Sequence, residues 1–381
     1  MIDKKIVYAD NAATTKLDGE AFNKMSNYFL EEYGNASQPY SFSRSSRKAL
    51  KEAREMIATC INADSEEIYF TSCGTESDNW AIKGCKYGDK GTLITSEIEH
   101  HAVLNSANSI ADNGVEVILI KPNKKGEIVE ENLESLVSEN TSLVSIMMAN
   151  NEIGTLQPIK ELAEIAHSVG ALFHTDAVQA VGHIKIDVKD LNVDMLSASG
   201  HKFNGPKGVG FIYIKKGTDI KNFLDGGKQE KSMRAGTENI PAIIGMATAL
   251  KINCDELENN QSKLKKIEEI FLSRLSEEGN IDFIKNGSDN TIPGNISVSF
   301  RDMNGESLLH LLDLNGICVS TGSACNSGTQ NVSHVLKAID VPEEYIHGTI
   351  RVSFGKYNTS EEAEKVADCI IRIIRKIHKK R

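Results

Sequence analysis

The sequence predicts an α/β protein in which a mostly parallel, seven-stranded sheet is covered by helices on both faces and followed by a smaller C-terminal α/β lobe. Three observations carry this expectation. Seven short apolar runs, at 68–72, 92–95, 115–120, 143–148, 171–175, 194–199 and 208–214, alternate with helical stretches. Strands that are apolar nearly throughout are buried on both faces, which is the mark of a parallel sheet. The 381-residue chain is too long for one ordinary core, and its 40% hydrophobic and 25% charged residues are those of a globular protein.

Beyond the last run, residues 239–278 carry Leu, Ile, Glu and Lys at helical spacing, which predicts a long helical stretch containing the link between the two lobes. From Gly279 the pattern predicts a strand at Asn295–Phe300, a helix from Gly305 to Leu314, a strand at Ile317–Ser320, a helix at Ser333–Ala338, a strand at Thr349–Phe354 and a final helix from Ser360. No run of ~18 apolar residues is present, so no membrane partner is expected. The opening residues lack the apolar stretch of a secretion signal, and a cytoplasmic protein is the expectation. A net charge of -10 argues against nucleic acid as the main partner, because phosphate binding needs a basic face. The seven cysteines are odd in number and never spaced CxxC, which is neither a disulfide framework nor a zinc site. Each is either a small core residue or a reactive thiol.

In open parallel sheets, ligands sit at the carboxyl ends of the strands. The residues just beyond each predicted strand are therefore informative. After the first comes SCGTESDN, with Gly74 and Thr75 opening a helix; after the second, SEIEHHAV with His100. Further along come ANNEIGT with Asn151, DAVQ with Asp176 and Gln179, and GHKFNGPKG with His201 and Lys202. The Gly74 turn is either a plain helix cap or an anion cradle of backbone N–H groups. Asp176 either caps the next helix or holds a pyridine nitrogen protonated. Lys202, in a Gly/Pro-bounded turn between two apolar strands, is a poor core residue and a good Schiff-base nucleophile. Cys325 lies in STGSACNSGT, where small residues on both sides leave the thiol accessible.

These segments resemble those of the cysteine desulfurases of the NifS/IscS type, fold-type I pyridoxal-phosphate enzymes of aminotransferase class V. The resemblance spans essentially the whole chain: YADNAATT (8–15), FTSCGTESDN (70–79), EHHAVL (99–104), NNEIGT (150–155), HTDAVQAVG (174–182), SGHKFNGPKGVG (199–210), RAGTEN (234–239), STGSACNSG (320–328) and IRVSFG (350–355). It implies an N-terminal arm at 1–15, a large cofactor-binding domain at 16–258 and a small domain at 259–381 that carries the cysteine loop. It also implies roles. Lys202 would hold pyridoxal 5'-phosphate through its amine and later move the substrate Cα proton. Asp176 would pair with the ring nitrogen, Gln179 would contact the ring hydroxyl, and His100 would stack on the ring and shuttle protons. Gly74, Thr75, Ser199 and His201 would bind the phosphate, and Thr237 would reach the phosphate of a neighbouring subunit, which implies a homodimer. Asn151 and Arg351 would hold the carboxylate of L-cysteine, and Asn151 would also touch the cofactor.

Cys325 would then take the sulfur as a persulfide and pass it to an acceptor such as an iron–sulfur scaffold or a tRNA-thiolation enzyme. No resident metal is expected; Cys325 is at most a transient iron–sulfur ligand. A selenocysteine lyase or another class V enzyme is the alternative. The chain departs from the family pattern at Cys73, Lys228 and Ser232, where glycine is usual, at Ala36 for Pro, at Tyr40 for His and at Lys356 for Arg.

Overall fold

The computed structural model describes residues 6–88, 91–277, 281–321 and 332–378. The strands are β1 (Val7–Tyr8), β2 (Ile68–Thr71), β3 (Thr92–Ser96), β4 (Glu116–Ile120), β5 (Thr141–Ser145), β6 (Leu172–Asp176), β7 (Met195–Ser199), β8 (Gly210–Ile214), β9 (Phe283–Asn286), β10 (Asn295–Phe300), β11 (Ile317–Cys318) and β12 (Thr349–Ser353). Seven form one sheet in the order β2-β8-β7-β6-β5-β3-β4. β8 runs antiparallel to both neighbours and every other pairing is parallel. All seven predicted strands are present, each within a few residues of its apolar run.

Alternate residues divide between two apolar layers, as the period of a strand requires. Ile94, Val144, Leu196, Phe211 and Tyr213 pack with helices Arg44–Cys60, Ile159–Ser168 and Ile240–Asp255. Leu93, Leu143, Met195, Ile212 and Ile214 pack on the other face with Trp80 and Ile82 of helix Gly74–Gly84 and Val103 of helix His101–Ala111. Helices on both faces remove water from the sheet and leave its carboxyl end as the place where polar groups can collect.

The predicted long helical stretch is two helices, Ile240–Asp255 and Leu257–Glu277, separated at Glu256. Met246 and Leu250 of the first join the core under the seven-stranded sheet. Leu264, Ile267, Phe271 and Leu275 of the second join another core, with Val298, Phe300, Ile350 and Val352 of the antiparallel sheet β12-β10-β9 and Ile370 and Ile374 of the last helix, Ser360–His378. Val7 and Ala9 pack in this second core, and β1 pairs in parallel with β11. Among the described residues no helix is long and apolar enough to cross a membrane.

One segment is strained. Glu230, Lys231 and Ser232 are consecutive non-glycine residues in left-handed backbone, with φ of 42°, 57° and 65°. Such residues cost of order 1–3 kcal/mol each unless their surroundings hold them. Here Glu230 is buried; it accepts from Arg54 at 2.6 and 2.8 Å and from the Phe70 backbone N–H at 2.9 Å. Arg54 also lies over the Phe70 ring, 4.4 Å from its centroid. Breaking such a pair strands a cation with little access to water. Glu230→Ala is expected to lower the free energy of unfolding by about 3 kcal/mol or more in chemical denaturation; a loss below about 1 kcal/mol would show that the pair does not anchor the segment.

Candidate active site

Five predicted site residues lie where the chain leaves a strand of the sheet. Asp176 ends β6, Ser199 ends β7, and His201 and Lys202 form the single turn after it. Gly74 begins the helix after β2. A side chain at Gly74 would place its Cβ 2.5 Å from Val178 Cγ2 and 3.4 Å from Ser199 Cβ, so only glycine lets the Asp176–Gln179 turn and the end of β7 close around this helix start. The start of an 11-residue helix presents unpaired N–H groups and a positive dipole end. Ser199 is buried there, and Thr75 is exposed in the first turn.

The N-terminal strip draws the remaining groups together. Lys202 Nζ donates to Ala12 O at 2.6 Å and Ala13 O at 2.9 Å, and Gln179 Nε2 donates to the same Ala12 O at 3.0 Å. His201 Nδ1 lies 3.1 Å from Thr14 Oγ1, and Thr15 donates through its backbone and hydroxyl to His201 O at 2.9 and 2.8 Å. Arg351, buried on β12, donates through Nη2 to Asp10 at 2.8 Å and through Nη1 to the Asn151 carbonyl at 3.0 Å. Arg351 Nε is buried with no hydrogen-bond partner among the described residues. Asp10 and the Ala12 carbonyl had no role assigned from sequence. The YADNAATT motif marked the strip, but a carbonyl leaves no trace in residue type.

Burial sets the charges. Asp176 accepts from Val178 N–H at 2.9 Å; burial pushes its pKa up to about 6, while that N–H and the Lys202 amine pull it back. Burial, then Lys202 and His101, push His100 down to about 4. His100 Nδ1 accepts the Ala102 N–H at 3.1 Å, so the proton of the neutral ring sits on Nε2. His201 is likewise lowered to about 4, by burial and then Lys202 and Lys207. Glu99, fully buried, accepts from Ser96 Oγ at 2.6 Å and Met147 N–H at 2.9 Å, yet burial raises it to about 8.

One predicted residue falls elsewhere. Thr237 is exposed on a cleft with Ser72, Arg234 and Asn239 whose lining includes neither Lys202, Asp176 nor His100. Cys325 lies outside the described residues. The chain on either side of its segment does adjoin the site. Ser320 exchanges backbone hydrogen bonds with Arg351 at 3.1 and 2.7 Å. Ser333 donates to Glu152 at 2.6 Å, and the His334 ring lies 5.0 Å from that of His101.

The residues fit pyridoxal phosphate: an amine for its aldehyde, a buried carboxylate for its ring nitrogen, an amide for its hydroxyl and a helix start for its phosphate. The orphan Arg351 Nε–H fits a carboxylate beside it.

The aminotransferase class-V family matches residues 7–366. The cysteine desulfurase IscS of Methanosarcina thermophila is 46% identical over 378 residues, covering 98% of this chain and 93% of the relative. The cysteine desulfurase NifS of Azotobacter vinelandii is 40% identical, covering 94% and 90%. A solved NifS-like protein superposes with a TM-score of 0.92 at 37% identity over 97% of this chain and 100% of that one. The structure of SspA in complex with cysteine gives 0.82 at 33% identity over 92% and 99%.

His100 is neutral in the fold and its ordinary value is 6.5, so it contributes stability above that pH that is lost as pH falls toward about 4. His100→Asn keeps a capping side chain and should remove up to ~1.4 kcal/mol per pH unit of this acid-side loss. Denaturation of the cofactor-free chain across that window measures it; an unchanged acid limb would show that His100 is charged in the fold.

Proposed function

The chain belongs to the aminotransferase class V family, and from that premise we propose that its site takes sulfur from free L-cysteine and holds it as a persulfide on Cys325. The protein is a pyridoxal-phosphate-dependent cysteine desulfurase. The observation that carries the residue assignments is the convergence of the Lys202 amine and Gln179 amide on the Ala12 carbonyl, beside buried Asp176 and the unspent Arg351 Nε–H.

Bound pyridoxal phosphate supplies an electron sink for the charge left when the substrate Cα loses its proton. Lys202 would hold it, Asp176 would keep a negative charge against its ring nitrogen, and Gln179 would meet its hydroxyl. Gly74, Thr75, Ser199 and His201 would hold its phosphate. Arg351 and Asn151 orient the substrate carboxylate, and Asp10 fixes the guanidinium from behind. Lys202 Nζ, once displaced by the substrate amine, would take the Cα proton, and the neutral His100 would offer a proton from Nε2. The Cys325 thiolate then attacks the substrate sulfur: an S–S bond forms, the Cβ–S bond breaks with its electron pair left on carbon, and protonation yields alanine. The flanks of the Cys325 segment at Ser320 and Ser333 support this, since one is bonded to Arg351 and the other to Glu152. The persulfide passes to an acceptor protein of the iron–sulfur scaffold or tRNA-thiolation kind.

We place the domain division at 16–258 and 259–381, with the arm at 1–15 packing with the small domain, because the two apolar cores part company at Glu256 and Val7 and Ala9 join the second. The homodimer rests on an apolar surface. Phe22, Phe29, Leu30, Tyr33, Tyr40 and Phe42 stand exposed on helix Gly19–Leu30 and the chain just after it, a concentration that marks an interface.

After incubation with cysteine, mass spectrometry should find one added sulfur on Cys325. Cys325→Ser should lose sulfide release by at least about 10²-fold while retaining the cofactor's visible absorbance; full activity would sink the persulfide assignment, and a keto acid in place of alanine would point to transamination. The doubly substituted Phe29→Asp, Leu30→Asp chain should sediment as a monomer, and an intact dimer would move the interface elsewhere.

A further inference from the structure

Asp78 has no part in the chemistry of Lys202, Arg351 and Cys325, yet it is among the most deeply buried acids of the chain. Helix Gly74–Gly84 turns it into the sheet, where it is 1% exposed. Its Oδ1 has no hydrogen-bond partner among the described residues and lies 3.8 Å from His174 Nε2. The Ser197 hydroxyl on β7 faces the Asp78 carboxyl and lies 2.9 Å from His174 Nε2, while Ser145 Oγ on β5 lies 2.8 Å from His174 Nδ1. His174 precedes Asp176 by two residues on β6, so the network ends beneath the carboxylate assigned to the ring nitrogen. The titratable groups reaching Asp78 are Asp176 from β6 and Glu99 from the turn after β3, both acids; Cys73 faces it from its own helix start.

Two buried carboxyls within electrostatic reach of each other resist ionising together. The charge goes to the one with better company. Asp176 has the Val178 N–H and the attraction of Lys202. Asp78 has one serine hydroxyl, an orphan oxygen and two acidic neighbours, so burial and Asp176 drive it well above the usual carboxylate range. His174 cannot take the proton, because burial holds it at about 3. We propose that Asp78 stores a proton beneath the site and so positions the single negative charge of the pair on Asp176.

This inference rests on the assignment of Asp176 to the ring nitrogen. It is therefore tested on the cofactor-free chain, where it can fail without the desulfurase assignment failing. An aspartate protonated in the fold and ionised when unfolded costs stability as pH rises above the ordinary Asp value of about 3.9. Asp78→Asn has no such proton. Its folding equilibrium should therefore gain on the natural chain by up to roughly tenfold per pH unit as pH rises past the ordinary aspartate range, read by chemical denaturation. The gain should shrink in an Asp176→Asn background, where the like charge is gone. Parallel stability curves for the natural chain and Asp78→Asn would overturn the stored proton. An equal gain in both backgrounds would overturn its link to Asp176. Should Asp78→Asn not fold, infrared spectra of the natural chain carrying isotope-labelled aspartate decide the matter: a protonated aspartate carboxyl band that persists above the ordinary aspartate range is expected, and its absence overturns the proposal.

Discussion

Much of the site depends on one backbone oxygen. Ala12 O receives both Lys202 Nζ and Gln179 Nε2, so a strip near the start of the chain fixes two groups from the end of the sheet relative to each other. The neighbours of Ala12 extend this: Asp10 aims Arg351, Thr14 meets His201, and Thr15 binds both His201 O and the Asn204 N–H. A flexible lysine held by two carbonyls has lost much of its rotamer freedom before any ligand arrives, which is the pre-organisation that a reactive amine requires.

Electrostatics is set where the strip and the sheet meet. The carboxyl ends of β3, β6 and β7 bring Glu99, Asp176 and the Ser197–His174 pair into a region closed off by helices on both faces. Removing water there disfavours every charge, and the fold answers by keeping His100, His174 and His201 neutral and raising Glu99. Asp176 retains its charge more readily because Lys202 lies near. The site is thus poised to reward a ligand that brings a positive ring nitrogen.

The sheet was legible in the sequence because buried parallel strands write themselves as unbroken apolar runs. The polar residues at strand ends were legible for the same reason: each stands where such a run stops. Less was visible where the partner is far away or has no side-chain signature. Asp10 and Arg351 are joined across 341 positions, and the Ala12 carbonyl belongs to a residue with no chemistry of its own. The break at Glu256 has neither glycine nor proline to announce it; the two helices part because their apolar faces belong to different cores. β9 was missed because three of its four residues are only half-buried and it lacks a clean apolar run. The departure at Ser232 takes on a physical meaning: a residue with a side chain occupies left-handed backbone where glycine would be at ease, and the Arg54–Glu230 pair lies within two residues of it.

The parallel pairing of β1 with β11 adds a last consequence. The strip that steadies the lysine leaves the large sheet to lie beside the strand from which the Cys325 segment departs, so amine and thiol share a common tether. A protease that clipped the chain after Thr15 would remove no catalytic side chain. It would still sever the lysine from its carbonyls and strip a neighbour from the root of the sulfur-bearing segment, so the two halves of the chemistry would fail together.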